Sequence, residues 1–248
     1  MRIAVVSDVH GNLAALAAVL ADIDRQGPDL IVDLGDKLSG PLFPAETADM
    51  MQGRDMLHIA GNHERQLLTH PVERMGMSDR HANGVLEAHH RDWLALLPAQ
   101  AELAGGEVLL CHGTPASDLT YFLEEVGEWG SRPAGHALVA ERAGDGPARV
   151  ILCGHSHVQR AVRLGDGRLV VNPGSVGLQA YEDDHVALHR NEMGSPHARY
   201  CLLDQARGQW AVTMREVAYD WDTAADLAAS RGADAWARAL RTGRVGSD

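Results

Sequence analysis

The 248-residue chain contains a single lysine, Lys37, among 22 basic residues, and those 22 face 34 carboxylates for a formal charge of −12. Such a balance offers no electrostatic footprint to duplex nucleic acid or to an anionic membrane surface. A phosphate-bearing partner would need bound cations to draw it in. Aromatic residues make up only 4% of the chain, so there is no basic, aromatic-rich stripe on which bases could stack, which argues against a nuclease. No apolar run approaches the roughly 20 residues needed to span a bilayer. Residues 1–10 carry one Arg and two metal-ligand types rather than a signal-peptide pattern. The three cysteines, Cys111, Cys153 and Cys201, are odd in number, far apart and set in strand-like runs. They read as buried free thiols of a cytoplasmic protein rather than a disulfide framework.

What is present is an alternation of apolar runs and amphipathic stretches. Ile3–Val6, Leu30–Val32, Met56–Ala60, Val108–Cys111 and Val150–Cys153 read as five buried strands. Leu13, Leu16, Leu20 and Ile23 recur at helical spacing after Asn12, a good N-cap, and Gly27-Pro28 should end that helix. A short helix is expected after Pro44, mostly helical structure over 64–97, and helix over 117–143 with a break near 130–135. Beyond residue 157 the pattern turns antiparallel: Gly165-Asp166-Gly167 and Gln205–Gly208 sit between strand-like segments as hairpin turns. An Ala-rich helix is expected over about 223–240. With no repeat, low-complexity tract or linker, residues 1–248 read as one α/β domain with a mixed sheet.

Fourteen histidines are many for this length, and five of them, His10, His63, His112, His155 and His157, each follow an apolar run. The first strand ends in Asp8 and His10, the second in Asp36, the third in Asn62 and His63, the fourth in His112, and the fifth in His155 and His157. Strand ends are where open α/β sheets bind ligands. Taken singly, each histidine could be an ordinary core or turn residue. Together they gather imidazoles, carboxylates and an amide oxygen at one edge, a set suited to first-row divalent cations.

These segments, "SDVHGN", "LGD", "AGNHE", "LCHGTP" and "CGHSH" in that order, followed by "VNPGSVG", resemble the calcineurin-like metallophosphoesterase superfamily, and most closely its small bacterial and archaeal phosphodiesterase-like branch. The resemblance implies a four-layer α/β/β/α sandwich with two mixed β-sheets. It implies two divalent metal ions, manganese first among them with Fe, Zn, Ni or Co accepted. One would be held by Asp8, His10 and His157 and the other by Asn62, His112 and His155, with Asp36 bridging. His63 would stay off the metals as the catalytic acid. A shared water of lowered pKa would attack phosphorus in line, and His63 would protonate the leaving alkoxide. The expected partner is a small phosphate ester. A dinucleoside polyphosphate or cyclic nucleotide is the second enzymatic reading, and a non-catalytic interaction scaffold the reading from a different class.

Two features depart from the phosphoprotein phosphatase branch, which resembles "G-D-x-V-D-R-G". Here the segment is "GDKLSGP", with Ser39 in the second aspartate's place and no arginine after it. That aspartate would orient the catalytic histidine, so other groups must hold His63. Lys37, beside Asp36, is expected to point to solvent or to the opposite face rather than to grip phosphate. Glu64 is expected to begin a helix and not to act in catalysis. The stretch 179–200, long for a loop, could overhang the site, mediate self-association into a homo-oligomer, or simply be solvated.

Overall fold

The computed structural model describes residues 1–246. Its first part runs β1 (Arg2–Val6), α1 (Leu13–Gln26), β2 (Leu30–Asp33), α2 (Pro44–Gln52), β3 (Leu57–His58), α3 (Asn62–Thr69), α4 (Met77–Val85), α5 (Ala88–Ala95), β4 (Gln100–Leu103) and β5 (Val108–Cys111). A hairpin of β6 (Glu124–Gly127) and β7 (Gly130–Pro133) precedes α6 (His136–Ala143), β8 (Val150–Leu152), β9 (Arg160–Arg163) and β10 (Leu169–Asn172). A second hairpin, β11 (Ala180–Asp183) and β12 (His189–Glu192), leads to β13 (Ala198–Ala206), β14 (Gln209–Val217), α7 (Trp221–Ser230) and α8 (Asp234–Thr242).

Two five-stranded mixed sheets form the centre, ordered β14-β13-β1-β2-β3 and β4-β5-β8-β10-β9. In the first, β1, β2 and β3 are parallel up to one edge and β13 and β14 are antiparallel on the other side; in the second, parallel β5, β8 and β10 are flanked by antiparallel β4 and β9. The strands' two-residue alternation decides what each face covers. On β1, Ile3 and Val5 turn inward to a core shared with Val108, Leu110, Val150, Leu152 and Val171 of the other sheet. Ala4 and Val6 turn outward onto Leu16, Val19, Leu20 and Ile23 of α1. Each of those four side chains contributes roughly 1.5–3 kcal/mol by leaving water, so α1 is held by its face rather than by propensity. Val139 and Ala143 of α6 cover the second sheet's outer face against Ile151 and Val170. The fold is therefore mixed α/β with two mixed sheets, as the resemblance implied, and α1 and α6 pack on their outer faces.

Three local expectations are corrected. Residues 124–133 form the β6-β7 hairpin, not helix, and α6 alone remains of the helix expected over 117–143. The helix over 223–240 is two, α7 and α8, divided at Gly232, whose φ of 76° stops the first. The stretch 179–200 is not an open loop but carries the β11-β12 hairpin.

Candidate active site

The carboxyl ends of β1, β2, β5 and β8, with the start of α3, bring together the eight residues anticipated from the sequence: six line one cavity, and Asp8 and His112 join them through the clusters. Ligand atoms of Asp8, His10 and His157 lie within 4.8 Å of one another, and so do those of Asp36, His112 and His155. Asn62 joins the second group, its Oδ1 3.0 Å from His112 Nε2. Five of these residues, Asp8, His10, Asp36, His155 and His157, have positive φ between 51° and 66°. Only seven non-glycine residues among those described do so. Left-handed backbone costs such residues about 1–3 kcal/mol each and persists where the surroundings impose it, most often at functional sites.

The surroundings here can be named. Ser175 Oγ donates to the Asp8 carbonyl at 2.7 Å and the Gly177 N–H donates to the same oxygen at 3.0 Å. Asn172 Nδ2 donates to the Gly154 carbonyl at 2.7 Å. The "VNPGSVG" segment is thus a brace for two ligand loops. Glu64, fully buried, accepts from the backbone N–H groups of Asp36, Lys37 and Gly61 at 2.8–2.9 Å, so it fixes the loop that presents Asp36. A Cβ at Gly61 would come within 2.3 Å of Asp36 Oδ1, and one at Gly154 within 2.0 Å of Ser7 Oγ. Both glycines therefore answer close approach, whereas Gly35, at φ 104°, supplies a sharp turn.

Of the placements expected for Lys37, solvent is excluded and turning away from the pocket holds: it is fully buried, with Nζ 2.8 Å from Asp33 Oδ2 and donating to the Ile59 carbonyl at 2.5 Å. It neutralises Asp33 beneath the loop and does not face the pocket.

The histidines show how the site is wired. His10 Nδ1 contacts the Ser39 carbonyl at 2.6 Å, His112 Nδ1 that of Leu34 at 2.8 Å, His157 Nδ1 that of Leu178 at 2.8 Å, and His155 Nε2 that of Leu119 at 3.2 Å. A carbonyl can only accept, so each of these nitrogens carries the proton and the other nitrogen of each ring presents a lone pair to the pocket. Those lone pairs meet other acceptors. His10 Nε2 lies 3.1 Å from His157 Nε2, and His112 Nε2 lies 3.0 Å from Asn62 Oδ1 and 3.1 Å from Asp36 Oδ2. Lone pairs so placed repel unless a positive charge lies among them. Protons provide one answer: burial opposes charge on His112, but Asp36 outweighs it and lifts this pKa to about 10, whereas burial with His157 nearby lowers His10 to about 4. Divalent cations provide a fuller one, and backbone-anchored imidazoles with a carboxylate in each cluster fit them.

His63 stands apart. Its Nδ1 contacts Asp79 Oδ1 at 2.7 Å, its backbone N–H donates to Asp36 Oδ1 at 2.9 Å, and its ring packs edge-on to His10 at 5.5 Å between centroids. Asp79, buried in the first turn of α4, fills the role that the residue at position 39 cannot; the sequence reading missed it. Burial opposes charge on His63, but Asp36 and Asp79 together raise its pKa to about 9. Cations at the neighbouring clusters would cancel the Asp36 contribution and leave that of Asp79.

The cavity, about 390 Å³, is walled beyond the ligands by Tyr121, Tyr181 and Trp236, with Glu182, Asp183 and His185 from the β11-β12 hairpin. The hairpin thus overhangs the site, one of the readings given to 179–200. The Tyr121 ring lies 4.9 Å from that of His155, and the Tyr181 ring 4.7 Å from that of His157. Their hydroxyls join at 2.7 Å in a directed chain: Asn191 Nδ2 donates to Tyr181, Tyr181 to Tyr121, and Tyr121 to His189 Nε2. The hairpin therefore buttresses one histidine of each cluster.

Comparison with known proteins agrees with this geometry. The profile of the calcineurin-like phosphoesterase superfamily domain matches residues 1–193. An uncharacterized protein of Methanocaldococcus jannaschii is 25% identical over 236 residues, covering 88% of each chain. The crystal structure of a metallophosphoesterase from Sphaerobacter thermophilus superposes with a TM-score of 0.75 at 24% identity, over 98% of this chain and 100% of that one. A hypothetical protein from Pyrococcus horikoshii gives 0.77 at 16% identity, over 99% of both.

Proposed function

Because the chain belongs to the calcineurin-like phosphoesterase superfamily, we propose that it is a binuclear metal enzyme acting on small phosphodiesters. The observation that carries this reading is the convergence of backbone-anchored imidazoles whose free lone pairs face other acceptors. Asp8, His10 and His157 would hold one cation and Asn62, His112 and His155 the other, with Asp36 between them. Manganese is the first candidate, and Fe, Zn, Ni and Co suit the same donors. When bound, such a pair lowers the pKa of a shared water and offsets phosphoryl charge.

The remaining work falls to the chain's own groups. Asp79 accepts from His63 Nδ1 and so fixes the ring with Nε2 as the proton-bearing tip available to the substrate. From there His63 donates to the departing alkoxide, a contribution of about 10²–10⁴ in rate. Tyr121, Tyr181 and Trp236 shield that transfer from bulk water along one wall. Among the described residues, no Arg or Lys lines the cavity. That favours a singly charged diester over a polyphosphate chain, which would need further cationic partners. No helix among the described residues is long and apolar enough to cross a membrane. Three free, buried cysteines accord with the cytoplasmic location in this reading.

The test is hydrolysis of bis(4-nitrophenyl) phosphate and of an alkyl diester by protein stripped of metal and reloaded in turn with Mn, Fe, Zn, Ni, Co and Mg. Turnover that returns with at least one ion is the expected result. A chain that binds metal yet hydrolyses neither diesters nor monoesters would be a scaffold, and the proposal would be wrong.

A further inference from the structure

A second cavity, of about 350 Å³, adjoins the first, and Leu119, Tyr121, His155, Asp183 and His185 line both. Its remaining wall includes Val126, Leu138 and Val186, together with Glu124 at the start of β6. Glu124 is only 3% exposed, and neither carboxylate oxygen has a partner in good hydrogen-bond geometry, although the Ser156 hydroxyl lies close enough to draw on the carboxyl.

Of the nearby cations, Arg142 also lines this cavity, but its Nη1 is turned to backbone carbonyls rather than to the Glu124 carboxylate. Arg142 donates to the carbonyls of Phe122 and Glu124 at 3.1 and 2.7 Å, and Arg160 donates to those of Leu123 and Ala134. The neighbouring Glu125 pairs with Arg132 at 2.9 Å. Burial pushes the Glu124 carboxyl up to about 7, against the pull of the Ser156 hydroxyl, Arg160 and Arg142. A buried carboxylate with a single neutral hydroxyl beside it and no cation in contact is under-satisfied, and calls for an explanation in what the cavity receives.

We propose that this cavity receives one ester arm of the substrate and that Glu124 selects an arm bearing a primary ammonium group, so that the substrate is the phosphodiester of an aminoalcohol. The proposal rests on the phosphodiesterase reading of the adjoining site. Its geometry follows from the shared wall: His155 belongs to a metal-ligand cluster and also borders the second cavity, so a diester held at the clusters has this space beside it. A carboxylate only accepts and an ammonium only donates, which makes each the other's natural complement. Val126, Leu138 and Val186 offer apolar cover to the methylenes between amine and ester. Asp183 and Glu125 bring the wall to three carboxylates against the one guanidinium of Arg142.

The test uses the protein loaded with whichever metal gives the highest turnover of bis(4-nitrophenyl) phosphate. Glycerophosphoethanolamine is compared with its N-acetyl derivative, which keeps the ester but removes the charge, and with the neutral glycerophosphoglycerol. The expected result is a kcat/KM at least tenfold higher for the free amine, expressed mainly in KM, with Glu124→Gln bringing the three substrates level. Equal kcat/KM for amine and acetylated amine in the unmodified protein overturns the proposal, whether or not the variant folds. So does a Glu124→Gln protein that keeps the preference. Failure to hydrolyse bis(4-nitrophenyl) phosphate with any metal would be a different result, one that removes the phosphodiesterase reading itself.

Discussion

Replacing Asp79 by asparagine keeps the shape of the group that holds His63 and removes its charge. The contact at stake is 2.7 Å long, between Asp79 Oδ1 and His63 Nδ1, with Asp79 5% exposed. Charge-assisted hydrogen bonds of this kind contribute about 1.5–3 kcal/mol. At about 1.4 kcal/mol per factor of ten, that corresponds to a loss of roughly 10- to 150-fold if the whole contribution is felt in the transition state. The loss should depend on the leaving group. An alkoxide needs a proton as it departs and should show the full effect, whereas 4-nitrophenolate needs little help and should show almost none. The assay is kcat on an alkyl and an aryl phosphodiester for both proteins, with metal content measured alongside. Equal losses on both esters, or a variant that sheds its metal, would refute the orienting role and make Asp79 a support for the cluster instead.

Two further outcomes follow from buried charge. Lys37→Met leaves Asp33 without the cation 2.8 Å away in a fully buried pair, and should cost about 3–5 kcal/mol in urea unfolding; a loss below about 1 kcal/mol would show that the pair is not stabilising. Glu124, raised from 4.5 to about 7 by burial, binds its proton more tightly in the folded chain than in the unfolded one. Folding stability therefore falls as pH rises through this window, by about 3 kcal/mol once both states are ionised. Glu124→Gln should remove that slope, so that the variant gains on the unmodified protein between pH 5 and pH 8; parallel stability curves would contradict it.

Much of the site could be read from the chain because its ligands follow apolar runs. Asp8, His10, Asp36, Asn62, His112, His155 and His157 come into view as polar residues at the ends of buried strands, and the structure gathers them. What escaped reading lacks that contrast. Asp79 sits in a polar helix 16 residues beyond His63, and nothing local marks it as the histidine's partner. In β12 the buried positions of the alternation are His189 and Asn191. A strand with its polar residues inward is invisible to hydrophobic periodicity, so 179–200 read as a loop. The β6-β7 hairpin is short, charged and only partly buried, and its turn read as a break in a helix. Lys37 sits beside a ligand, and only the fold shows that its side chain runs beneath the loop to Asp33.

The proposed chemistry depends most on where cations bind. Anomalous diffraction from crystals soaked in manganese tests this directly. The prediction is two peaks, one among Asp8, His10 and His157 and one among Asn62, His112 and His155, with Asp36 touching both, and loss of one peak in Asp36→Asn. Manganese bound only elsewhere, or a single peak that Asp36→Asn leaves in place, would contradict the two-cation site from which the proposed chemistry follows.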